Sequence, residues 1–446
     1  MDDMKRRIVV TGIGCVTPIG STIQELQANL YAGRIGVGRL SLFDATHFPV
    51  RIAAEVRDWD LSHVGQDPTQ WQHCPRQTTF AIGAGLQAAR HAGVEDSQTD
   101  PSRFGIYLGC GEPFEDFGKF TTAIHESRQD SIQSSVSTTS HFKPRTLRLF
   151  DPDADREFEP EMPAMHLGEL LNAQGPILNC ISACVSSTQA IGEAARMIRQ
   201  DEVDVMLCGG AHSTIHPFGV TGFQRLSALS TRNDDPQAAV RPFDADRDGF
   251  VIGEGAATFI IEELEHARRR GAHILGELTG YGSAQDAYRV TDSHPEGRGT
   301  TSALQRALAS ARLNPDDIDY INAHGTGTIL NDRVETIAIK NAFGESAWKI
   351  PVSSTKSMLG HATTACGAIE LAVCLFSLLS GVIPPTVNHE KPDPQCDLDY
   401  VPRNAREVNC RHVLTSNIGF GGQNAALIVS RFDESSRTAS RRSRAA

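Results

Sequence analysis

Short apolar runs alternate with helical stretches along nearly the whole chain, and this alternation leaves few folds open. A first β-rich run, RRIVVTGIGCVTPIG (6–20), ends in glycines. Further strand-like runs stand at 104–108, 176–179, 204–208, 257–261, 319–322, 350–353, 413–416 and 425–429. Helical stretches at 77–91, 189–199, 301–310 and 365–380 fall between them. The pattern predicts a layered α/β fold with sites at the C-terminal ends of strands. With 446 residues, 40% apolar and 22% charged, the chain can bury a sizeable core in one or more large domains.

Two stretches hint at an internal repeat. Cys184 is followed by Glu193 inside AIGEAARMI, and His361 by Glu370 inside GAIELAVCL, in each case nine positions on. Both are small-residue helices that begin just after a strand candidate. Duplicated halves would place Cys184 and His361 at matching helix starts; on this alone a chance match stays open. The charged run EHARRRGAH (265–273) is the candidate boundary. The segment 124–171 is polar and reads as a long irregular loop, and 433–446 reads as a disordered tail.

Several function classes are disfavoured. A net charge of −12 argues against nucleic acid, which needs a basic surface. The longest apolar run, 371–383, is too short for a membrane span and reads as a buried helix. The N-terminus lacks a signal-like apolar region, so the ten cysteines are expected as reduced thiols in the cytoplasm. Their spacing is irregular with no Cys-x-x-Cys, and no metal is expected. Gly12 and Gly14 lack the third glycine and the later acidic residue of a dinucleotide fingerprint. DADRDGFVIGEG (244–255) begins like a calcium loop, but Gly255 stands where the bidentate glutamate belongs.

Four segments concentrate chemistry: NCISACVSS (179–187), NAHGTGT (322–328), SSTKSMLGHATTACGAIE (353–370) and SNIGFGGQNA (416–425). Each joins a strand end to the next element, and together they offer a thiol, two imidazoles and a lysine. Cys184 precedes a helix, whose unpaired N–H groups favour thiolate and predict a pKa lowered from about 8.5 toward 7 or below. Cys180 reads as structural, packed into the sheet. The glycines of GFGGQN either expose a backbone N–H to the thiol as an oxyanion donor or form a plain tight turn.

These segments, with the opening run and ALSTRNDDPQAAVRPFDADRDGFVIGEGA (228–256), resemble the β-ketoacyl-[acyl carrier protein] synthases, especially the elongating type II enzymes. The similarity runs from about residue 6 to 431. The resemblance implies a thiolase-like fold of two βαβαβαββ halves in a five-layer αβαβα sandwich, with halves at 1–270 and 271–432, acting as a homodimer. It assigns Cys184 as the acyl-accepting nucleophile and His324 and His361 as the two histidines. Lys356 matches the lysine that pairs with a glutamate, here Glu370. Thr326 and Thr328 match threonines that bond phosphopantetheine, and Phe420 matches the gatekeeper whose N–H joins that of Cys184 in the oxyanion hole. Asp286 and Glu335 match acidic residues of an active-site water network.

The implied reaction is decarboxylative condensation of an acyl-Cys184 with malonyl-carrier protein, giving a 3-oxoacyl carrier in fatty acid, lipid or polyketide synthesis. No cofactor is implied beyond the phosphopantetheine of the carrier. Two neutral imidazoles suit an enolate, because preset donors then meet charge as it develops. Arg196, Arg199 and Arg225 are candidate carrier-docking residues. Rival readings are a thiolase, which needs a second cysteine near the glycine loop where only Cys410 is close, and a non-elongating chain-length-factor-like subunit, which should lack the nucleophile. Departures from the family pattern are Ser182 before and Val185 after the Ala-Cys pair, Ile418 two positions before Phe420, which leaves a roomier acyl pocket, and the divergent 124–171 segment, a long insertion beside the typical elongating enzyme.

Overall fold

The computed structural model describes residues 6–95, 99–111 and 116–433. Ten strands carry the fold: β1 (Ile8–Val16), β2 (Phe104–Cys110), β3 (Ile177–Asn179), β4 (Val205–His212), β5 (Gly255–Glu263), β6 (Gly276–Gln285), β7 (Tyr320–Asn322), β8 (Val352–Ser353), β9 (His412–Gly419) and β10 (Gln423–Ser430). The helices that connect them are α1 (Arg76–Ala92), α2 (Met162–Leu170), α3 (Ser186–Arg199), α4 (Arg298–Ala311), α5 (Ile329–Phe343) and α6 (Cys366–Ser380).

Strand order across the sheet is β8-β7-β9-β10-β6-β1-β5-β4-β2-β3. Outward from the centre, the first five strands run 1-5-4-2-3 and the second five repeat that order. Each set threads as βαβαβαββ, so the duplication hinted at by Cys184/Glu193 and His361/Glu370 is a repeat of topology. The two five-stranded sets meet only where Val9 and Val10 pair with Glu277 and Gly276. Helices α1 and α2 pack on the first set, and α4 packs on the second with α5 beside it. Helices α3 and α6 touch each other and strands of both sets, and form the central layer of an αβαβα sandwich.

The central layer explains the apolar run near residue 371. Thr363–Ser380 is the one helical stretch among the described residues long and apolar enough to cross a membrane, and 89% of it is buried inside the protein. A helix walled in on all sides has no polar face to show.

Gly12 and Gly14 have a packing role. A Cβ on Gly12 would stand 2.2 Å from Ala88 O, and one on Gly14 2.0 Å from Ala84 O, so glycine lets α1 lie directly on β1. The calcium-like loop is likewise a turn: the Asp244 carboxylate accepts N–H groups from Asp246 (2.9 Å), Glu390 (2.7 Å) and Lys391 (2.6 Å).

Two expectations fail here. The segment 124–171 is helical rather than an irregular loop, with Phe117–Ser134 and Thr138–Leu149 forming a hairpin before α2. Asp116 and Ser137 cap these helices through Lys119 N and Ser140 N. Strand β6 was not anticipated, because its glycines hide the alternation. Those glycines are needed: a Cβ on Gly282 would lie 2.1 Å from Ala303 O on α4. The tail at 433–446 lies, apart from Asp433, outside the described residues.

Candidate active site

The connections after β3, β7, β8 and β9 converge on one cavity of about 320 Å³, whose lining includes Cys184, His324, Thr326, Thr328, His361, Ile418 and Phe420. It reaches the surface beside the exposed Leu226 and Ile329.

Cys184 lies between β3 and α3 on a constrained turn. Ala183 before it adopts φ 49°, a left-handed conformation that disfavours large side chains. The Ser186 hydroxyl fixes this turn, accepting from Ser182 N–H and donating to Ala183 O, each at 2.7 Å. The sulfur is thereby held at the cavity floor, near the backbone N–H groups of Phe420 and of Cys184 itself, which favour its thiolate form. The GFGG segment is therefore more than a tight turn. Gly421 and Gly422, at φ 82° and 78°, turn the chain so that Phe420 N–H faces the thiol.

His361 Nε2 is 3.1 Å from Cys184 Sγ. The His324 ring stands 5.2 Å from that of His361 at 86°, and the donor atoms of Cys184, His324 and His361 all lie within 4.8 Å of one another. On its far side His324 Nδ1 faces Lys356 Nζ at 3.2 Å and Asn417 Nδ2 at 3.3 Å. Both are donors, so Nδ1 accepts and Nε2 carries the hydrogen. Burial, and then the Lys356 charge, hold both imidazoles far below their usual range, so both are neutral.

Lys356 in turn bonds Glu370, which also accepts Asn417 Nδ2 at 2.6 Å. Burial alone would lower the ammonium, but the Glu370 carboxylate outweighs it and keeps Lys356 charged. Both side chains are at most 3% exposed. Removing one partner from such a pair strands a buried charge, at about 3–5 kcal/mol. Lys356→Met should therefore lower the denaturation midpoint sharply, and Lys356→Met/Glu370→Leu should recover most of the loss. A single variant that melts like the parent would contradict this ion pair.

Glu335 lies beneath the site. Its carboxylate accepts His324 N and Gly325 N, each at 2.7 Å, and the Ser416 hydroxyl at 3.2 Å, while burial pushes it up to about 7. It positions the His324 loop. Asp286 is not brought to the cavity. Its carboxylate accepts Gly299 N (2.9 Å) and His294 N (3.1 Å), and its N–H donates to Gly422 O (2.8 Å), bracing the glycine loop from outside. Thr326 and Thr328 do face the cavity, with hydroxyl oxygens 3.0 Å apart.

The thiol itself departs from expectation. Burial pushes Cys184 up to about 11, although Lys356 and the two N–H groups pull the other way. The helix start is real, but burial at the floor of a deep cavity costs the thiolate more than those donors return. Alkylation of Cys184, followed by peptide mass spectrometry, should thus accelerate about tenfold per pH unit from pH 7 through 9. A plateau reached by pH 7 would show the thiol pKa lowered instead.

Cys180 is half-buried with Sγ 3.7 Å from Gln189 Oε1, beside the sheet rather than inside its packing. Cys410 is buried just before β9, away from the cavity. The docking arginines do not cluster. Arg196 pairs with Glu193 and Arg199 donates to Leu278 O, both at the end of α3 remote from Cys184, while Arg225 alone adjoins the cavity mouth at Leu226. Sequence reasoning missed Asn417 and Cys366. Asn417 ties His324 to Glu370, and Cys366 Sγ donates to Cys184 O at 3.2 Å. Asn417 stands in the SNIGFGG segment, where a fully buried amide on a strand was the available signal.

Comparison with known proteins agrees with this geometry. Residues 5–267 match the family "Beta-ketoacyl synthase, N-terminal domain", and residues 275–390 match "Beta-ketoacyl synthase, C-terminal domain". The chain is 40% identical over 428 residues to 3-oxoacyl-[acyl-carrier-protein] synthase 2 of Coxiella burnetii, covering 96% of this chain and 99% of that one. It is 42% identical over 426 residues to a putative polyketide β-ketoacyl synthase 1 of Streptomyces halstedii, covering 96% and 98%. Among solved structures, a β-ketoacyl synthase from Burkholderia phymatum STM815 superposes with TM-score 0.83 at 33% identity, covering 96% of this chain and all of the other. A type II polyketide ketosynthase, solved with its acyl-carrier protein and bound to the hexaketide, gives the same score at 31% identity, again covering 96% and 100%. The chain belongs to the β-ketoacyl synthase family, with the thiolase-like fold, and is a condensing enzyme.

Proposed function

We propose that the protein joins an acyl group held on Cys184 to a malonyl unit carried by an acyl carrier protein. The observation that carries this reading is the thiol at the cavity floor, 3.1 Å from His361 Nε2 and under two backbone N–H groups. In the first half-reaction Cys184 Sγ attacks the thioester carbonyl of an acyl-phosphopantetheine. The oxyanion accepts the N–H groups of Cys184 and Phe420, the carrier thiol leaves with the proton, and the acyl group stays on sulfur. In the second, malonyl-carrier loses carbon dioxide. The electron pair freed from that bond forms an enolate, whose oxygen accepts Nε2–H bonds from His324 and His361. The enolate carbon then attacks acyl-Cys184, sulfur leaves and regains a proton, and 3-oxoacyl-carrier departs. Thr326 and Thr328 line the cavity wall, and in this reading their hydroxyls bond the amides of the arm.

The reading needs no cofactor beyond the arm that the carrier brings. A carrier partner is supported by the polyketide ketosynthase whose structure includes its own acyl-carrier protein. A non-elongating subunit is not favoured, because thiol and both imidazoles are present and assembled. A homodimer is supported by the unequal edges of the sheet. Edge strand β8 is buried and bonded by Val352 N to Asp399 O, whereas β3 at the opposite edge leaves Leu178 40% exposed, with Ile181 52% exposed beside it. An open apolar edge invites pairing with a second copy. Ten free thiols suit a cytoplasmic setting.

Turnover with malonyl-carrier and acyl carriers of graded length tests the reading. We expect 3-oxoacyl product and carbon dioxide in equal amounts. Because Ile418 lines the cavity, long acyl groups should be accepted and Ile418→Phe should shorten the preferred chain. Absence of 3-oxoacyl product with every acyl length would refute it.

A further inference from the structure

Away from the catalytic cavity, three side chains of different chemistry meet where the helical insertion joins α1. Cys74 precedes α1, Glu157 lies in the short turn Arg156–Phe158, and His166 is on α2. Cys74 Sγ donates to Glu157 Oε2 at 3.1 Å, and His166 Nε2 is 2.7 Å from the same oxygen. The three donor atoms lie within 4.8 Å of one another, and all three residues are half-buried. Condensation uses none of them.

We propose that Cys74, Glu157 and His166 bind a zinc ion that fastens the insertion to the catalytic core. Thiolate, imidazole nitrogen and carboxylate oxygen are zinc's common donors, at roughly 2.0–2.3 Å. Arranged tetrahedrally at those lengths, donors stand about 3.3–3.7 Å apart. The cluster reaches this by opening the His166–Glu157 edge from 2.7 Å by roughly 0.6 Å and the Cys74–Glu157 edge from 3.1 Å by about 0.4 Å. The hydrogens that now join the three groups give way to one cation: Cys74 releases its proton to solvent, and His166 coordinates through Nε2 with its hydrogen on Nδ1. Trp71 packs edge-on against the His166 ring, centroids 5.1 Å apart at 89°, and fixes the plane in which that nitrogen points. Glu157 and His166 also line an open cleft with Asp153 and Arg156, which offers the ion a way in and a water for the fourth position. A thiolate and only three protein donors disfavour magnesium and calcium, which take more oxygens.

The insertion is held unevenly: α2 packs on α1 with Leu167 fully buried, whereas the hairpin meets the core through Phe117 and Phe120 against Phe218. Its helical hairpin leaves Ile132 70% and Leu147 72% exposed, so little of its apolar surface is buried. A metal link at its root adds to that limited packing. The ligands escaped the sequence because Cys74 lies more than eighty positions from Glu157, with no paired-cysteine spacing.

Two further trios share His324, namely Cys184, His324 and His361, and His324, Cys366 and Glu370, so the test uses the His324→Ala protein, which breaks both. Stripped with chelator and given one equivalent of cobalt(II), it should develop a sulfur-to-cobalt charge-transfer band that zinc abolishes. Its melting midpoint should rise with added zinc. On the same background Cys74→Ser should lose the band, and Cys74→Ser and His166→Ala should each bind zinc at least about 100-fold more weakly and lose the midpoint rise. Cys180→Ser should keep both signals. Absence of the band, or its persistence in Cys74→Ser, overturns the proposal.

Discussion

Replacing Cys184 with alanine should abolish condensation and leave the protein folded. In the proposed reaction the thiol supplies the atom that holds the acyl group between carriers, and no other side chain on the cavity floor can take its place. Cys366, the nearest other thiol, points its sulfur at Cys184 O rather than into the cavity. Loss of a nucleophile that works as a unit with its neighbours should cost at least about 10³-fold in turnover. The fold barely notices the change, because alanine keeps the Cβ contacts and only a sulfur leaves, a change of about 1 kcal/mol or less. Turnover and thermal melting of the same preparation check both halves. Turnover within tenfold of the parent, or loss of a cooperative transition, would contradict the assignment.

Replacing His324 with alanine separates the two half-reactions. Its Nδ1 is committed to Lys356 and Asn417, so only Nε2–H faces the cavity, and in the proposed reaction that hydrogen serves the enolate oxygen. The thiol instead has His361 at 3.1 Å and the N–H groups of Cys184 and Phe420. His324→Ala should therefore still accept an acyl group onto Cys184, while carbon dioxide release from malonyl-carrier falls by about 10²–10³-fold. His361→Ala should slow both steps, because that ring touches the sulfur as well. Unchanged carbon dioxide release in His324→Ala would remove the enolate role.

Much of this was legible before any coordinates. Runs of Val, Ile and Leu bounded by turns gave eight of the ten sheet strands near their observed ends, after the opening run that became β1. Cys184, His324, His361, Lys356 and Phe420 stand out because each sits in a polar or glycine-rich segment directly after such a run. Strand β6 did not stand out, since the glycines that let α4 approach it erase the apolar alternation. The helices of the hairpin were hidden because they bury so little, and one of them carries Pro144 in its interior. The thiol's raised pKa depends on how deeply β3, β8 and β9 enclose it, which no local pattern records. Asn417 and Asp286 illustrate the same limit: one reads as an ordinary strand residue yet bridges His324 and Glu370, and the other matches a site motif yet braces a loop.

The central claim is that one sulfur at the mouth of α3 carries the growing chain. Incubation with an acyl carrier alone, without malonyl-carrier, followed by intact-mass and peptide analysis, addresses it directly. One acyl group per chain on the peptide containing Cys184, absent from Cys184→Ala, is the predicted result; an adduct on Cys180, or none at all, would contradict it.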